Sequence, residues 1–148
     1  MILYLDTSSL VKLYVEEEES LKIETLVRSS EATATSIVSY AESRAAFARR
    51  FREKSFTTDE HDRIKAFFDK DWRNYFVLNL TQEMVKLAGN LAEKHALRGF
   101  DSIHLASALI LHQQVAAPVV FSCFDNKLEK AAVQEGLDKD QGSLCLGC

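Results

Sequence analysis

Four acids carry whatever chemistry this sequence can do: Asp6, Glu42, Asp101 and Asp125. Asp6 closes the apolar run Ile2–Leu5, Asp125 follows the apolar run Val119–Phe121, and Asp101 opens an apolar helical pattern. Each aspartate has a second reading as a helix N-cap, because Asp is among the best capping residues. Glu42 lies mid-helix, where no capping role exists, and its alternative is an ordinary surface glutamate. Taken together the four are harder to set aside. Ligands of open parallel sheets sit at the carboxyl ends of the strands, which is where Asp6 and Asp125 fall. Two carboxylates ~4 Å apart repel by about 4 kcal/mol at an effective dielectric near ~20, so such a cluster calls for a counter-ion. Hard oxygen ligands without a Cys or His cluster favour Mg²⁺ or Mn²⁺ over zinc. A carboxylate-held metal lowers the pKa of bound water and stabilises charge on a transferring phosphoryl group, the chemistry of a metal-dependent nuclease.

The elements that must position these acids follow from hydrophobic patterning. Ile2–Leu5 predicts a buried strand, and Thr7, Ser8 and Ser9 lead into a short helix around Leu10–Tyr14. A second helix is expected over Leu21–Arg28, after the acidic run Glu16–Glu19. Ala32–Thr35 is a short strand candidate. The next helix carries Ile37, Tyr40, Ala41, Ala45, Ala48 and Phe51 on one stripe at helical spacing. Thr57 and Glu60 form a capping box before a helix expected to bury Ile64, Phe67, Phe68 and Trp72. Tyr75–Leu80 predicts a strand and Thr81–His95 a helix, with Met84, Leu87, Ala88 and Leu91 inward. The helix from Phe100-Asp101 to about His112 is apolar nearly all round and should be central. Asp125 starts a last helix that ends near Gly136, a C-cap residue. Residues 137–148 could add an edge strand near Ser143–Leu146 and a loose tail. Strands alternating with helices predict one three-layer α/β/α sandwich over residues 1–148, around a mainly parallel sheet.

The bulk numbers are compatible with this. The chain has 148 residues, 47% hydrophobic and 27% charged, enough for one sizeable core. The apolar stretch Leu105–Leu111 is flanked by His104 and His112 and is too short to span a bilayer. No basic segment precedes the first apolar run, so a secretion signal is not expected. Three cysteines, an odd count without framework spacing, suggest a reducing compartment, and the expected location is the cytoplasm. A formal net charge of −4 argues against attraction of nucleic acid by the whole molecule. It leaves room for a local basic patch or for metal ions in an acidic pocket.

Four segments together resemble the PIN-domain ribonucleases, and most closely the VapC toxins of VapBC toxin–antitoxin pairs. They are Tyr4–Tyr14 with Asp6, Ser39–Glu42, Asp101–Ala106 and Phe121–Leu128 with Asp125. Each is weak alone; in order they span essentially the whole chain. The resemblance implies that Asp6, Glu42, Asp101 and Asp125 bind Mg²⁺ or Mn²⁺ and activate water for RNA cleavage. It places Ser8 as a hydroxyl that supports the site. A Ser or Thr commonly stands two residues before the last aspartate; here Cys123 does, and a thiol is a weaker hydrogen-bond partner. The resemblance also implies a homodimer and a cognate antitoxin seated in a groove between helices. Leu10, Leu13, Tyr14, Phe47 and Phe51 exceed what one small core needs and could line that groove.

Other residues have two readings each. Arg44, Arg49 and Arg50 follow Glu42 on its helix, with Arg52 and Lys54, and Arg49 shares its face two turns on. They could guide an RNA phosphate, or form a solvated helix end well placed for the helix dipole. His104, one turn after Asp101, could touch substrate or be a packed core histidine. Cys145 and Cys148 have one C-x-x-C spacing but no second pair for a structural zinc. Rival enzymes fit less well. A haloacid-dehalogenase-type phosphatase wants an acid two residues after Asp6, where Ser8 stands. A receiver domain wants an Asp after the strand that here ends in Thr81-Gln82. A degenerate PIN module that only binds RNA or protein would have no use for four mutually repelling acids, and a housekeeping PIN nuclease is the remaining alternative.

Overall fold

The computed structural model describes residues 1–140. It is built as β1 (Ile2–Leu5), α1 (Thr7–Val11), α2 (Ser20–Ser29), β2 (Ala32–Ser36), α3 (Val38–Arg52) and α4 (Thr58–Trp72). Then come β3 (Phe76–Leu78), α5 (Gln82–His95), α6 (Gly99–Gln114), β4 (Val119–Ser122), α7 (Asn126–Gln134) and β5 (Asp138–Lys139). The strands form one sheet in the order β3-β2-β1-β4-β5, and every pairing is parallel. The sheet order reverses between β1 and β4, which makes their carboxyl ends the expected crevice for a ligand.

Strand β1 shows why the sheet needs helices on both sides. Side chains alternate across a strand, and a strand buried on both faces is apolar without interruption. Tyr4 packs with Phe121, Leu105, Leu111 and Leu128 on the face covered by α5, α6 and α7. Leu3 and Leu5 pack with Leu10, Ile23, Phe47 and Phe68 on the face covered by α1 to α4. The three-layer sandwich expected from the sequence is therefore the one observed. Helix α6 is the central element of its layer, with Ser102, His104–Ala108 and Leu111 buried. Among the described residues, no helix is long and apolar enough to cross a membrane.

Several local expectations hold. Thr57 and Glu60 make the reciprocal capping box of α4, and Gly136 takes the left-handed conformation just past α7 (φ 97°). Others are corrected. Helix α3 buries Ser39, Ser43 and Phe47, whereas Ile37, Ala41 and Ala45 of the expected stripe are exposed. Small serines let α3 approach its neighbours closely, a role that a hydrophobicity pattern does not register. Phe67, expected inside, is 60% exposed, and only Phe68 of α4 is fully buried. The apolar residues reserved for a partner groove are largely absorbed by the second core: Leu10 and Phe47 are buried in it, and Leu13 and Tyr14 pack against it. One core on each face of the sheet needs more apolar residues than the single core assumed. The strand expected over Tyr75–Leu80 is reduced to the edge strand β3, and the edge strand of the last segment is Asp138–Lys139. The candidate near Ser143–Leu146 lies outside the described residues, as do Cys145 and Cys148.

The second core is aromatic. The fully buried Phe68 ring lies 5.2 Å from Tyr14, 5.3 Å from Tyr40, 5.4 Å from Phe47 and 5.6 Å from Trp72. Phe68→Ala should cost about 3–5 kcal/mol through lost burial and the cavity left behind. Urea unfolding followed by the fluorescence of Trp72, the sole tryptophan, measures it. A loss below about 1 kcal/mol would mean that the surrounding rings collapse into the space.

Candidate active site

Asp6 is positioned by β1 itself. Its backbone N–H donates to the Ser122 carbonyl at 3.2 Å, one step beyond the β1–β4 ladder. Its Oδ1 accepts from the Ser9 N–H at 2.9 Å and from the Ser8 hydroxyl at 2.8 Å. Asp6 is thus the N-cap of α1 and also 95% buried at the end of the sheet, since its exposure is 5%. Burial raises its proton affinity most. His104 and the two hydrogen bonds act against that, and Asp101 adds to it. The Ser8 hydroxyl therefore helps to fix the aspartate.

Asp125 ends the neighbouring strand's loop and caps α7, with Oδ1 accepting from the Leu128 N–H at 2.9 Å. Cys123 is buried, and burial with the surrounding acids pushes its thiol up to about 12. Its Sγ lies 3.5 Å from the Asp125 carbonyl oxygen. The thiol thus holds the backbone of the turn, and the carboxylate is oriented by the start of α7.

Asp101 is not a cap. Helix α6 begins at Gly99 with Arg98 in the N-cap position, so Asp101 lies within the first turn. Its proton affinity is raised by burial first, then by Asp125, with Glu42 contributing and Arg98 and His104 opposing. Arg98 was not singled out in the sequence, yet it is the cation among the acids. Its Nε is 3.8 Å from Asp101 Oδ2 and its Nη2 3.9 Å from Asp125 Oδ2. One guanidinium therefore spans the two carboxylates from a side chain that is 86% exposed. The only sequence signal for it is its place at the start of the Asp101 helix.

Glu42 points from α3 towards the same region. Its Oε1 accepts from the Thr7 hydroxyl at 2.5 Å and lies 3.2 Å from His104 Nε2. Burial alone would raise its proton affinity, but the His104 and Thr7 hydrogen bonds outweigh that and hold its carboxyl below the usual range. His104 Nδ1 lies 2.9 Å from the Tyr4 hydroxyl, inside the core. At 2% exposure His104 takes the packed-core reading of the two that the sequence offers. The arginines of α3 are likewise engaged locally. Arg44 donates to the Tyr40 hydroxyl at 2.9 Å, Arg49 pairs with Glu53 at 3.2 Å, and Arg50 pairs with Glu17. None of the three makes an ion pair with the four acids.

The donor set around Asp6, Asp101, Asp125 and Glu42 is all oxygen, and two of its members hold protons more tightly than free carboxylates. That chemistry suits a hard divalent cation, which relieves the repulsion. Among the described residues, no three His, Cys, Asp or Glu side chains are grouped so that they could hold a metal ion as they stand. The acids are near enough to perturb one another, with Arg98 between two of them.

An all-parallel α/β/α sandwich with acids gathered across the carboxyl end of its central strands defines a class of site as well as a fold. The chain belongs to the PIN domain family, whose model matches residues 3–134. It is similar to the ribonuclease VapC45 of Mycobacterium tuberculosis, with 34% identity over 140 residues that cover 91% of this chain and 92% of the relative. Among solved structures it resembles Mycobacterium tuberculosis VapC20, described as a sarcin-ricin loop cleaving toxin. The TM-score is 0.63 at 16% identity, over 87% of this chain and 94% of that one. It also resembles a toxin–antitoxin complex from Klebsiella pneumoniae, with a TM-score of 0.54 at 18% identity over 80% and 83% of the two chains.

The raised acids make stability depend on pH with a definite sign. Between the unfolded value of about 4 and the higher folded values, the native protein holds more protons than the unfolded chain. Stability therefore falls as pH rises through that window, and the penalty is complete above it. Asp101→Asn removes one of the charges and gives up only long, exposed ion-pair contacts with Arg98, which are worth little. Without metal at pH 7, the variant should melt above the wild type, and the difference should vanish near pH ~3. Identical melts at pH 7 would show that the acids do not destabilise the fold.

Proposed function

We propose that this chain is a divalent-metal-dependent endoribonuclease and the toxin of a cytoplasmic toxin–antitoxin pair. The observation that supports the reading is that four acids from four different elements lie near enough to influence one another's charge, two of them with raised proton affinity. The similarity to VapC45 supports ribonuclease activity, and the VapC20 and Klebsiella likenesses in fold accord with a toxin and an antitoxin partner. A homodimer is part of the same proposal, and the family resemblance is its support.

Asp6, Asp101 and Asp125 would hold Mg²⁺ or Mn²⁺, with Glu42 beside them. When bound, such a metal supplies a nucleophilic water at neutral pH and charge stabilisation at the phosphate. The protein's own groups have separable tasks. Ser8 and the Ser9 N–H fix Asp6, the α7 terminus orients Asp125, and Thr7 and His104 fix Glu42. Arg98 neutralises Asp101 and Asp125 in the absence of metal, and its exposed side chain is free to turn to a phosphate of the RNA when a cation takes its place. RNA contacts by Arg44, Arg49 and Arg50 would first require them to leave their present partners.

Asp6→Asn and Asp101→Asn should each lower RNA cleavage by orders of magnitude while the far-UV circular dichroism stays native. Excess chelator should abolish wild-type cleavage, and added Mg²⁺ or Mn²⁺ should restore it. Cleavage that survives chelation would end the metal mechanism. Co-expression with the product of the adjacent small open reading frame, followed by affinity purification, tests the toxin reading. A chain that never co-purifies with it, and does not slow growth when induced alone, would instead be a housekeeping nuclease.

A further inference from the structure

We propose that His104 and Tyr4 are positioning residues, a buried hydrogen-bond relay running from the central strand to Glu42. The inference rests on reading Glu42 as one of the metal-site acids. Tyr4, at 0% exposure, stacks on Phe121 with ring centroids 5.5 Å apart, and His104 lies edge-on to Tyr4 at 6.0 Å. Packing alone would be met by Phe and Leu at these positions, without the desolvation cost of a phenol and an imidazole in an apolar core. The polar atoms have a purpose only if what they reach matters. They reach Glu42.

The direction of the relay follows from donor and acceptor inventories. An ionised Glu42 can only accept, so His104 Nε2 carries a proton and donates to Oε1 at 3.2 Å. Nδ1 and the Tyr4 hydroxyl share the next hydrogen bond, at 2.9 Å. Burial keeps the phenol protonated, because it raises the Tyr4 pKa well above its ordinary value. Thr7 adds a second donor to Oε1 at 2.5 Å, and its hydroxyl lies 3.4 Å from Ser39 Oγ. Ser39 is tied at 2.8 Å to Thr35, which donates to the Leu5 carbonyl at 2.7 Å.

Every one of these contacts on Glu42 is made to Oε1. One oxygen of a long, half-exposed side chain is therefore anchored to β1, α1 and α6, and the other is left for the acid cluster. Anchors of this kind behind a ligand typically change metal affinity or activity 10–100-fold, by about that factor when mutated.

The test compares His104→Leu, His104→Gln and Tyr4→Phe with the wild type. Mn²⁺ affinity is measured by electron paramagnetic resonance titration, and kcat and KM on a fluorogenic single-stranded RNA. His104→Leu should lower Mn²⁺ affinity and kcat by about 10–100-fold with little change in KM. His104→Gln, which keeps a donor on the chain, should recover most of that loss, and Tyr4→Phe should show a smaller loss in the same direction. Thermal melts should place His104→Leu no lower than the wild type. Wild-type Mn²⁺ binding and kcat in both His104→Leu and Tyr4→Phe would overturn the relay, as would losses that track melting temperature and are not recovered by Gln. If His104→Leu does not fold, Tyr4→Phe decides alone. Mn²⁺ affinity unchanged in Glu42→Gln would instead overturn the assignment of Glu42 on which the relay depends.

Discussion

The parallel pairing of β1 with β4 is the constraint on which the rest of the structure depends. Its register sets Leu5 beside Ser122, and the next hydrogen bond, from Asp6 N–H to the Ser122 carbonyl, extends the ladder by one step. Asp6 and the turn that carries Asp125 therefore leave the sheet at the same end. A side-chain period of two means that a one-residue slip would turn Tyr4, Leu3 and Leu5 to the wrong faces. Both cores resist that slip, because Leu3 and Leu5 belong to one and Tyr4 to the other. The hydrophobic effect on two faces of the sheet thereby sets the position of charges at its end.

Those charges are held against their own repulsion by groups that also serve the fold. Asp6 and Asp125 are true N-caps, of α1 and α7. Capping and the proposed metal binding are thus compatible readings of these residues. The N–H groups and dipole at a helix start favour a negative charge, which lowers the cost of keeping an ionised carboxylate in a partly dry place. Asp101 lacks such a bond and is offset by Arg98, at longer range. Glu42 is offset by Thr7 and His104. Each acid is stabilised by a different local device, and burial first, with the neighbouring acids adding to it, raises the proton affinities of Asp6 and Asp101.

What could be seen in the sequence was the part governed by local rules. Apolar runs ending on acids located β1 and β4, the Thr57–Glu60 spacing located the start of α4, and Gly136 marked the end of α7. The all-round apolarity of 103–111 marked α6 as central. The places of Asp6, Asp101 and Asp125 at the ends of their elements were legible because each follows or opens an apolar run. What failed depends on tertiary neighbours. Phe67 and Phe68 are alike in pattern, and only the placement of α4 against Tyr14 and Phe47 buries one and exposes the other. Serines at 39 and 43 are core residues because α3 packs closely, not because they are apolar. Of the α3 arginines, Arg44 and Arg49 found partners one turn away and Arg50 a distant one, Glu17, while Arg98 came to lie beside both Asp101 and Asp125 through the fold. The bonds from Tyr4 to His104 and from His104 to Glu42 join residues 100 and 62 positions apart, beyond the reach of any motif.

The central claim is that these acids form a site whose unfavourable charge is completed by a divalent cation. Anomalous diffraction from crystals soaked in Mn²⁺ tests it most directly. The account predicts a manganese peak bounded by Asp6, Asp101 and Asp125, with Glu42 alongside and the Arg98 guanidinium withdrawn from Asp101. No peak there at saturating Mn²⁺, with Arg98 still between Asp101 and Asp125, would contradict it.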